Sequence, residues 1–439
     1  MALNLQRFYR ACNPSQTLNM GNPEDQYYYI DFSSVRGRKI IESIKRTISV
    51  ISPNEPTCQL FTGHIGCGKS TELLRLKTEL EQGGFHVVYF QSSQDLDMAD
   101  VDITDILLSI ACQVSESLEA IKIKHKPRYM ANLFAEISDF LQTPIELESQ
   151  TELSVGIAKI TAKTKESPKL RRRLREYLEP RTGGILESIN EELLEHATTE
   201  LKRRGFAGLV VIVDNLDRVE FRPLPSGRSQ PEYLFIDRGG QLRKLNCHLV
   251  YTIPLALTFS NASEALKNQL GGGLGPKVLP MVPVQLRDGS ECQEGMALMR
   301  QFVLARAFPD ETTDKRLELI TKIFDTSETL DRLCRVSGGH LRNLLGLLYR
   351  CLQEEDPPFS RDCLESVIRQ DNARRLLAIT EDEWHLLFKV VQKQSVTGED
   401  EYQYLLQNML IFEYRYQQDN WFSINPVLAE TEKFKSFEK

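Results

Sequence analysis

The chain has 439 residues, room for roughly three domains at about 150 residues each. Hydrophobic residues make up 41% and charged residues 26%, close to ordinary globular usage, which excludes a disordered or fibrous chain. With 54 basic and 61 acidic residues the net charge is −7. The field of the whole molecule therefore does not favour DNA or anionic lipid, and any such contact has to come from a local basic patch.

Residues 1–24 are polar, with Asn-Pro pairs at 13–14 and 22–23, and read as an irregular N-terminal extension. Met1 to Arg10 lacks the apolar core of a signal peptide. Tyr27–Phe32 is aromatic and β-prone, and Val35–Ser49 carries Ile40, Ile41, Ile44 and Ile48 at helical spacing. Pro53 and Pro56 end that helix, and Cys58–Thr62 reads as a short buried strand. A loop follows, then a helix with Leu73, Leu76 and Leu80 on its apolar face, stopped by Gly83-Gly84, and a strand at Phe85–Phe90. Strand, loop, helix and strand in this order predict a parallel sheet covered by helices.

The stretch 101–205 is helical in pattern. It opens with Asp95, Asp97, Asp100, Asp102 and Asp105, which lack calcium-loop spacing and read as a solvated loop and helix-N-terminal charge. Its centre, Lys159–Arg181, holds nine basic residues against three acidic ones. The expected partner of that segment is the acid-rich helix after it, with Glu187, Glu191, Glu192 and Glu195. Leu209–Val213 is a continuous apolar run of the kind found in a central parallel strand. Leu249–Ile253 and Val278–Val284 read as further strands, and Gly271–Pro276 as a loop.

From Glu291 to about Gln370 the pattern is helical throughout. Glu381–Val391 and Glu401–Leu410 are two more helices, followed by strand, turn and strand at Ile411–Tyr416, Gln417–Asn420 and Trp421–Ile424. Helices followed by a hairpin at a domain's end is the order of a winged helix. The expected organisation is an irregular extension at 1–24 and an α/β core at 25–285 with a helical insertion at about 120–205. A helical lid at 286–375 and a winged helix at 376–439 complete it. The nine cysteines are scattered singly, without metal-ligand spacing, and read as free thiols in a reducing compartment. No apolar run is long enough to cross a bilayer, so a soluble, cytoplasmic protein with no membrane partner is expected.

The strongest chemical signal is Gly63-His64-Ile65-Gly66-Cys67-Gly68-Lys69-Ser70, with Thr71 next. Its glycines let backbone N–H groups curl round a polyphosphate, and the helix behind presents its positive end to the same anion. Lys69 supplies a cation for the β- and γ-phosphates, and the Ser70 hydroxyl a ligand for Mg²⁺. A second signal is Leu209-Val-Val-Ile-Val-Asp214-Asn215-Leu216-Asp217-Arg218, where Asp214 ends a buried strand and is placed to hold Mg²⁺ through water.

These two segments resemble the Walker A and Walker B motifs of the additional-strand P-loop ATPases, and within that class the AAA+ and STAND/KAP-type groups. The resemblance implies a P-loop NTPase core binding ATP and Mg²⁺. The 145 residues between Lys69 and Asp214 leave room for the extra strand that class places between its motif strands. Thr252, ending Leu249-Val-Tyr-Thr, is similar to a sensor 1 residue. Ser337-Gly-Gly-His-Leu-Arg342-Asn-Leu-Leu resembles the sensor 2 segment of replication-initiator-like AAA+ proteins, which makes Arg342 a γ-phosphate contact. Arg342 also lies in the first turn of a helix, against the dipole, and off the face formed by Leu341, Leu344, Leu345 and Leu348. His64, His340 and Cys67 read as structural residues.

Many such ATPases carry an acid directly after the Walker B Asp. Here Asn215 stands there and cannot take a proton at neutral pH. Asp217 is the nearest carboxylate substitute, and slow hydrolysis, or binding with little turnover, is expected. The favoured reading is an ATP-driven switch acting on a protein partner through the winged helix, with ATP-dependent homo-oligomers as one form of assembly. A DNA-handling ATPase and a non-hydrolysing nucleotide-binding scaffold are the alternatives. From Glu381 to Lys439 there are eleven acids and six bases, which disfavours a DNA contact there. Lys159–Arg181 is the one candidate for nucleic acid.

Overall fold

The computed structural model describes residues 3–37, 39–123, 167–376 and 379–437, with Tyr129, Asn132, Leu133, Glu136, Ile137 and Phe140 between them. Five strands form one parallel sheet: β1 (Cys58–Gly63), β2 (His86–Gln91), β3 (Leu209–Asp214), β4 (His248–Thr252) and β5 (Lys277–Leu279), in the order β2-β3-β4-β1-β5. Every residue of β3 and β4 is buried, as strands covered on both faces require.

The period-2 alternation divides the core. Val211 and Val213 face a layer that includes the Ile103–Ala120 helix, while Val210 and Ile212 face Leu73, Leu76 and Leu80 of the Lys69–Gln82 helix. Registers Gln91↔Asp214 and Gly63↔Leu279 place the ends of β1, β2, β3 and β5 along one carboxyl edge. Ligands of open α/β sheets bind beyond that edge.

The strand between β1 and β3 comes from an unexpected place. It is β4, downstream of Asp214, and not part of the 145-residue interval; that interval supplies β2, which lies at the sheet's edge. Val278–Val284 is also shorter than its apolar run predicts. Pairing with β1 ends at Leu279, because Pro280 and Pro283 have no N–H to give a ladder, and Met281 instead makes an isolated bridge to Tyr414 of the C-terminal hairpin.

Residues 5–11 form a helix capped by Asn4, contrary to the irregular extension expected from the Asn-Pro pairs. Phe8 is fully buried against the helix Gln293–Ala307 and its neighbours, so tertiary packing holds a helix of only seven residues. Tyr27–Phe32 is not a strand; it follows a short helix at Pro23–Gln26, and Phe32 packs into the same helical layer.

That layer contains the helices Gln293–Ala307, Ser327–Val336, Leu341–Glu354 and Arg361–Leu376. Helices at Glu381–Lys393 and Asp400–Gln407 precede the antiparallel hairpin of β6 (Ile411–Tyr416) and β7 (Asp419–Ile424). Phe412, Tyr414 and Trp421 of this hairpin pack into the core cluster shared by the Lys69–Gln82 helix and the sheet. Among the described residues no helix is long and apolar enough to cross a membrane.

Candidate functional site

Gly68 starts the Lys69–Gln82 helix in the left-handed region, at φ 103°, which only a residue without a Cβ adopts easily. The loop before it is clamped from outside. A Cβ on Gly66 would lie 2.7 Å from Nε2 of His340, so glycine there permits close approach of the Ser337–Arg342 segment. Arg342 N–H donates to Gly66 O (3.2 Å), and His340 Nε2 donates to Ile65 O (2.8 Å) while its Nδ1 accepts from Asn343 N–H. Cys67 is a buried free thiol whose Sγ reaches Leu279 O.

His64 ties the loop to the C-terminal hairpin. Its Nε2 accepts the Glu413 N–H at 2.9 Å, which puts the ring proton on Nδ1. Burial holds its pKa well below the usual histidine value, and the positive fields of His340 and Lys69 add to this, so the ring is neutral. Phe412 lies edge-on to His64 and also packs on His340. His64 and His340 connect the loop to parts far apart in the chain, the hairpin strand β6 and the Ser337–Arg342 segment.

Lys69 is buried and anchored. Its Nζ donates to Gly63 O (2.7 Å) and His64 O (2.8 Å) and pairs with Asp217 Oδ2 at 2.9 Å. Burial works against the ammonium, yet the Asp217 carboxylate outweighs it and raises the lysine pKa. The other oxygen of Asp217, Oδ1, is buried without a hydrogen-bond partner among the described residues.

Asp214 lies behind this pair. Burial, reinforced by the nearby Asp217, raises its pKa, while bonds from Ser70, Tyr89 and the Asn215 N–H pull the other way. The Tyr89 hydroxyl donates to Asp214 Oδ2 at 2.8 Å. Asn215 sits at φ 67° and turns its amide to Ser93 Oγ (3.0 Å). Thr252 does not reach the cleft. It is fully buried, with its hydroxyl accepting from Leu216 N–H at 3.0 Å and directed toward Val213 O, so it braces the turn after β3.

One cleft collects the remaining pieces. Gly66, Gly68, Lys69, Ser70 and Thr71 line it from the loop, and Asn215, Asp217 and Arg218 from the segment after β3. Leu341, Arg342 and Leu345 line it from the helical layer. Burial lowers the Arg342 pKa, and the Arg218 cation lowers it further. Two guanidiniums repelling each other at one wall mark it as a place for an anion.

Sequence reading missed a further wall, made of Gln16, Thr17, Tyr28, Tyr29, Phe32 and Arg36, together with Phe302 and Arg306. The only signal was the aromatic run at 27–32, which was read as a strand.

The basic stretch has a different partner from the one expected. Arg171 pairs with Asp97 (2.7 Å) and Asp100 (3.4 Å), and Arg175 with Asp100 (2.7 Å) and Asp105 (3.0 Å). The aspartates expected to be solvated are thus neutralised, although Asp102 does cap the helix that starts at Ile103. Arg173 and Arg181 stack on Phe140 and Tyr177. Lys159, Lys163 and Lys165 lie outside the described residues.

Residues 38–224, under half the chain but spanning both motif segments, match the family model described as the KAP family P-loop domain. No curated protein matches. Among solved structures, the Walker-type ATPase PABY2304 of Pyrococcus abyssi is 12% identical at TM-score 0.38, covering 92% of this chain and 98% of its own. Cdc6p from Pyrobaculum aerophilum is also 12% identical at TM-score 0.38, covering 94% and 96%. The ORC2 protein of Aeropyrum pernix, in ADPNP and ADP complexes, is 10% identical at the same score, covering 100% and 97%. With its two motif segments at one edge of a five-stranded parallel sheet, the chain has the fold of a P-loop NTPase, and its residues 38–224 are similar to the KAP family P-loop domain.

Proposed function

We propose that this protein binds ATP with Mg²⁺, hydrolyses it slowly, and passes its nucleotide state to a protein partner. The helices of 286–375 would serve as a lid, and 376–439 as a winged helix that carries the signal. One observation supports this above the others: a single cleft is lined by the phosphate loop, the segment after β3 and the helical layer. An ATP molecule placed there touches all three.

In this reading the loop amides of 63–70 cradle the polyphosphate, and Lys69 turns from Asp217 to the β- and γ-phosphates. Arg342 meets the γ-phosphate. The Ser70 side chain helps to hold down the Asp214 pKa, and the Ser70 hydroxyl and the Asp214 carboxylate are hard oxygen donors of the kind that suits Mg²⁺. Ser70 would ligate the ion directly and Asp214 through water; the ion would neutralise phosphate charge. Asp217, released from Lys69, is the carboxylate available to accept a proton from water. Thr252 acts by holding the turn that carries Asn215 and Asp217.

The coupling to the hairpin runs through His64. The loop residue that precedes Ile65 and Gly66 accepts a hydrogen bond from β6, and Tyr414 of the same strand donates to Gly338 O at 2.8 Å. Movement of the loop on nucleotide binding therefore strains or relaxes the seat of the hairpin. Hydrogen exchange of the full chain tests this: ATP–Mg²⁺ should slow exchange at Phe412–Tyr414 more than ADP does. Equal exchange there in the ATP, ADP and nucleotide-free states would remove the switch, while leaving nucleotide binding untouched.

Nucleic acid is the weaker reading, because two arginines of the described part of the basic stretch, Arg171 and Arg175, are engaged with Asp97, Asp100 and Asp105. Hydrolysis has its own test. Asn215→Glu should raise turnover, since a well-placed general base contributes about 10²–10⁴-fold. It should also lower stability by about 1 kcal/mol, as glutamate tolerates the left-handed backbone at φ 67° less well than asparagine. Unchanged turnover in steady-state assays would place the base elsewhere.

A further inference from the structure

At the end of the cleft formed by the N-terminal segment, two arginines are buried with no ion pair to a carboxylate among the described residues, although the charges of Glu72 and Asp31 act on Arg36 from a distance. Arg36 is 3% exposed and Arg306 4% exposed. Both line the cleft, and Nε of each is buried with no hydrogen-bond partner among the described residues. Among the described residues each guanidinium donates one hydrogen bond, to a backbone carbonyl: Arg36 Nη2 to Cys67 O (2.9 Å) and Arg306 Nη1 to Phe302 O (2.7 Å).

Their surroundings are aromatic. Arg36 lies 5.2 Å over the Phe32 ring, Phe32 packs against Phe302 with centroids 5.8 Å apart, and Arg306 sits 3.6 Å over Phe302. The ionisable groups that stabilise the Arg306 cation are the Cys12 thiol and the Tyr28 hydroxyl, neither of them a carboxylate. Burial consequently drives its pKa down to about 10, and lowers that of Arg36 as well. A buried, underbonded cation is destabilising in the empty protein. Two of them beside one cleft point to a ligand that brings hydrogen-bond acceptors.

The triphosphate is accounted for at the other wall, by Lys69, Ser70 and Arg342. A nucleotide bound with its triphosphate at that wall would have its base, a flat ring with acceptor nitrogens at its edge, to place against the Phe32 and Phe302 side of the same cleft. We propose that Arg36 and Arg306 read the ring-nitrogen acceptors of a purine base from the Phe32–Phe302 wall, and so determine base recognition at this site. The proposal rests on nucleotide binding in the cleft. It assigns a role to residues outside both motif segments: Arg36 lies before β1, and Arg306 on the Gln293–Ala307 helix.

The test uses the full-length protein and titrates ATP, tripolyphosphate, and the 1-deaza, 3-deaza and 7-deaza analogues of ATP. Wild type should bind at least one deaza analogue about 10-fold or more weakly than ATP, the size of effect expected for a lost hydrogen bond to a charged donor. In Arg306→Met or Arg36→Met that discrimination should shrink, ATP affinity should fall about 10-fold or more, and tripolyphosphate affinity should stay unchanged. The thermal midpoint of nucleotide-free Arg306→Met should equal or exceed that of wild type, which a merely structural arginine would not allow. Equal wild-type affinity for ATP and all three analogues, with both variants binding ATP normally, would overturn the proposal and leave ATP binding standing. Wild type that binds tripolyphosphate as tightly as ATP would also overturn it, and wild type that binds neither would overturn the nucleotide reading itself.

Discussion

Lys69→Ala is expected to abolish ATP binding and, in the same variant, to destabilise the nucleotide-free protein. The first effect follows from losing the cation that meets the β- and γ-phosphates. The second follows from the geometry found here: Lys69 Nζ, 2.9 Å from Asp217 Oδ2, neutralises a carboxylate that is 4% exposed. Removing one partner of a buried pair leaves the other charge uncompensated, a loss of about 3–5 kcal/mol. Denaturant unfolding without nucleotide reads the second effect separately from the binding titration. A Lys69→Met, Asp217→Leu double variant should recover most of the stability and none of the ATP binding, since apolar replacement of a whole buried pair is often close to neutral. Micromolar ATP affinity in Lys69→Ala would sink the assignment of the cleft.

Asp217→Asn is expected to have opposite effects on binding and turnover. In the nucleotide-free protein Asp217 both holds Lys69 away from a phosphate and contributes negative charge to the cleft wall. Asparagine keeps the shape and removes the charge, so ATP should bind about 10-fold tighter, corresponding to about 1.4 kcal/mol. Turnover should fall at the same time by about 10²-fold or more, if Asp217 accepts the proton that Asn215 cannot. The Lys69–Asp217 pairing is what couples binding to turnover in this variant. Calorimetric titration and single-turnover hydrolysis separate the two quantities. Weaker ATP binding with unchanged turnover would mean that Asp217 only positions the lysine, and would remove it as a base.

The local determinants of the site were legible in the sequence. The glycines of 63–70, the Lys-Ser that follows and the strand before them depend on backbone freedom and short-range order, which the sequence states directly. The all-apolar Leu209–Val213 announced a strand covered on both faces, and it is one. Alternating and helical periods likewise located the Leu73, Leu76 and Leu80 face and the 411–424 hairpin, because burial of one face leaves its period in the chain.

Everything that depended on which segments meet was decided by the tertiary structure. Strand order is one case: nothing local to His248–Thr252 says that it slots between β1 and β3, since sheet order is set by the packing of whole layers. Charge pairing is another. Arg171 and Arg175 had acids nearer in sequence, at 187–195, but their partners are Asp97, Asp100 and Asp105, more than sixty residues away. The Tyr27–Phe32 run carries the aromatic content of a strand, yet it became a cleft wall because the Gln293–Ala307 helix offered Phe302 as a packing partner. Propensity is a property of a segment, whereas a contact belongs to two. His64 and Glu413, 349 positions apart, meet only because the folded hairpin lies against the loop that the first motif builds.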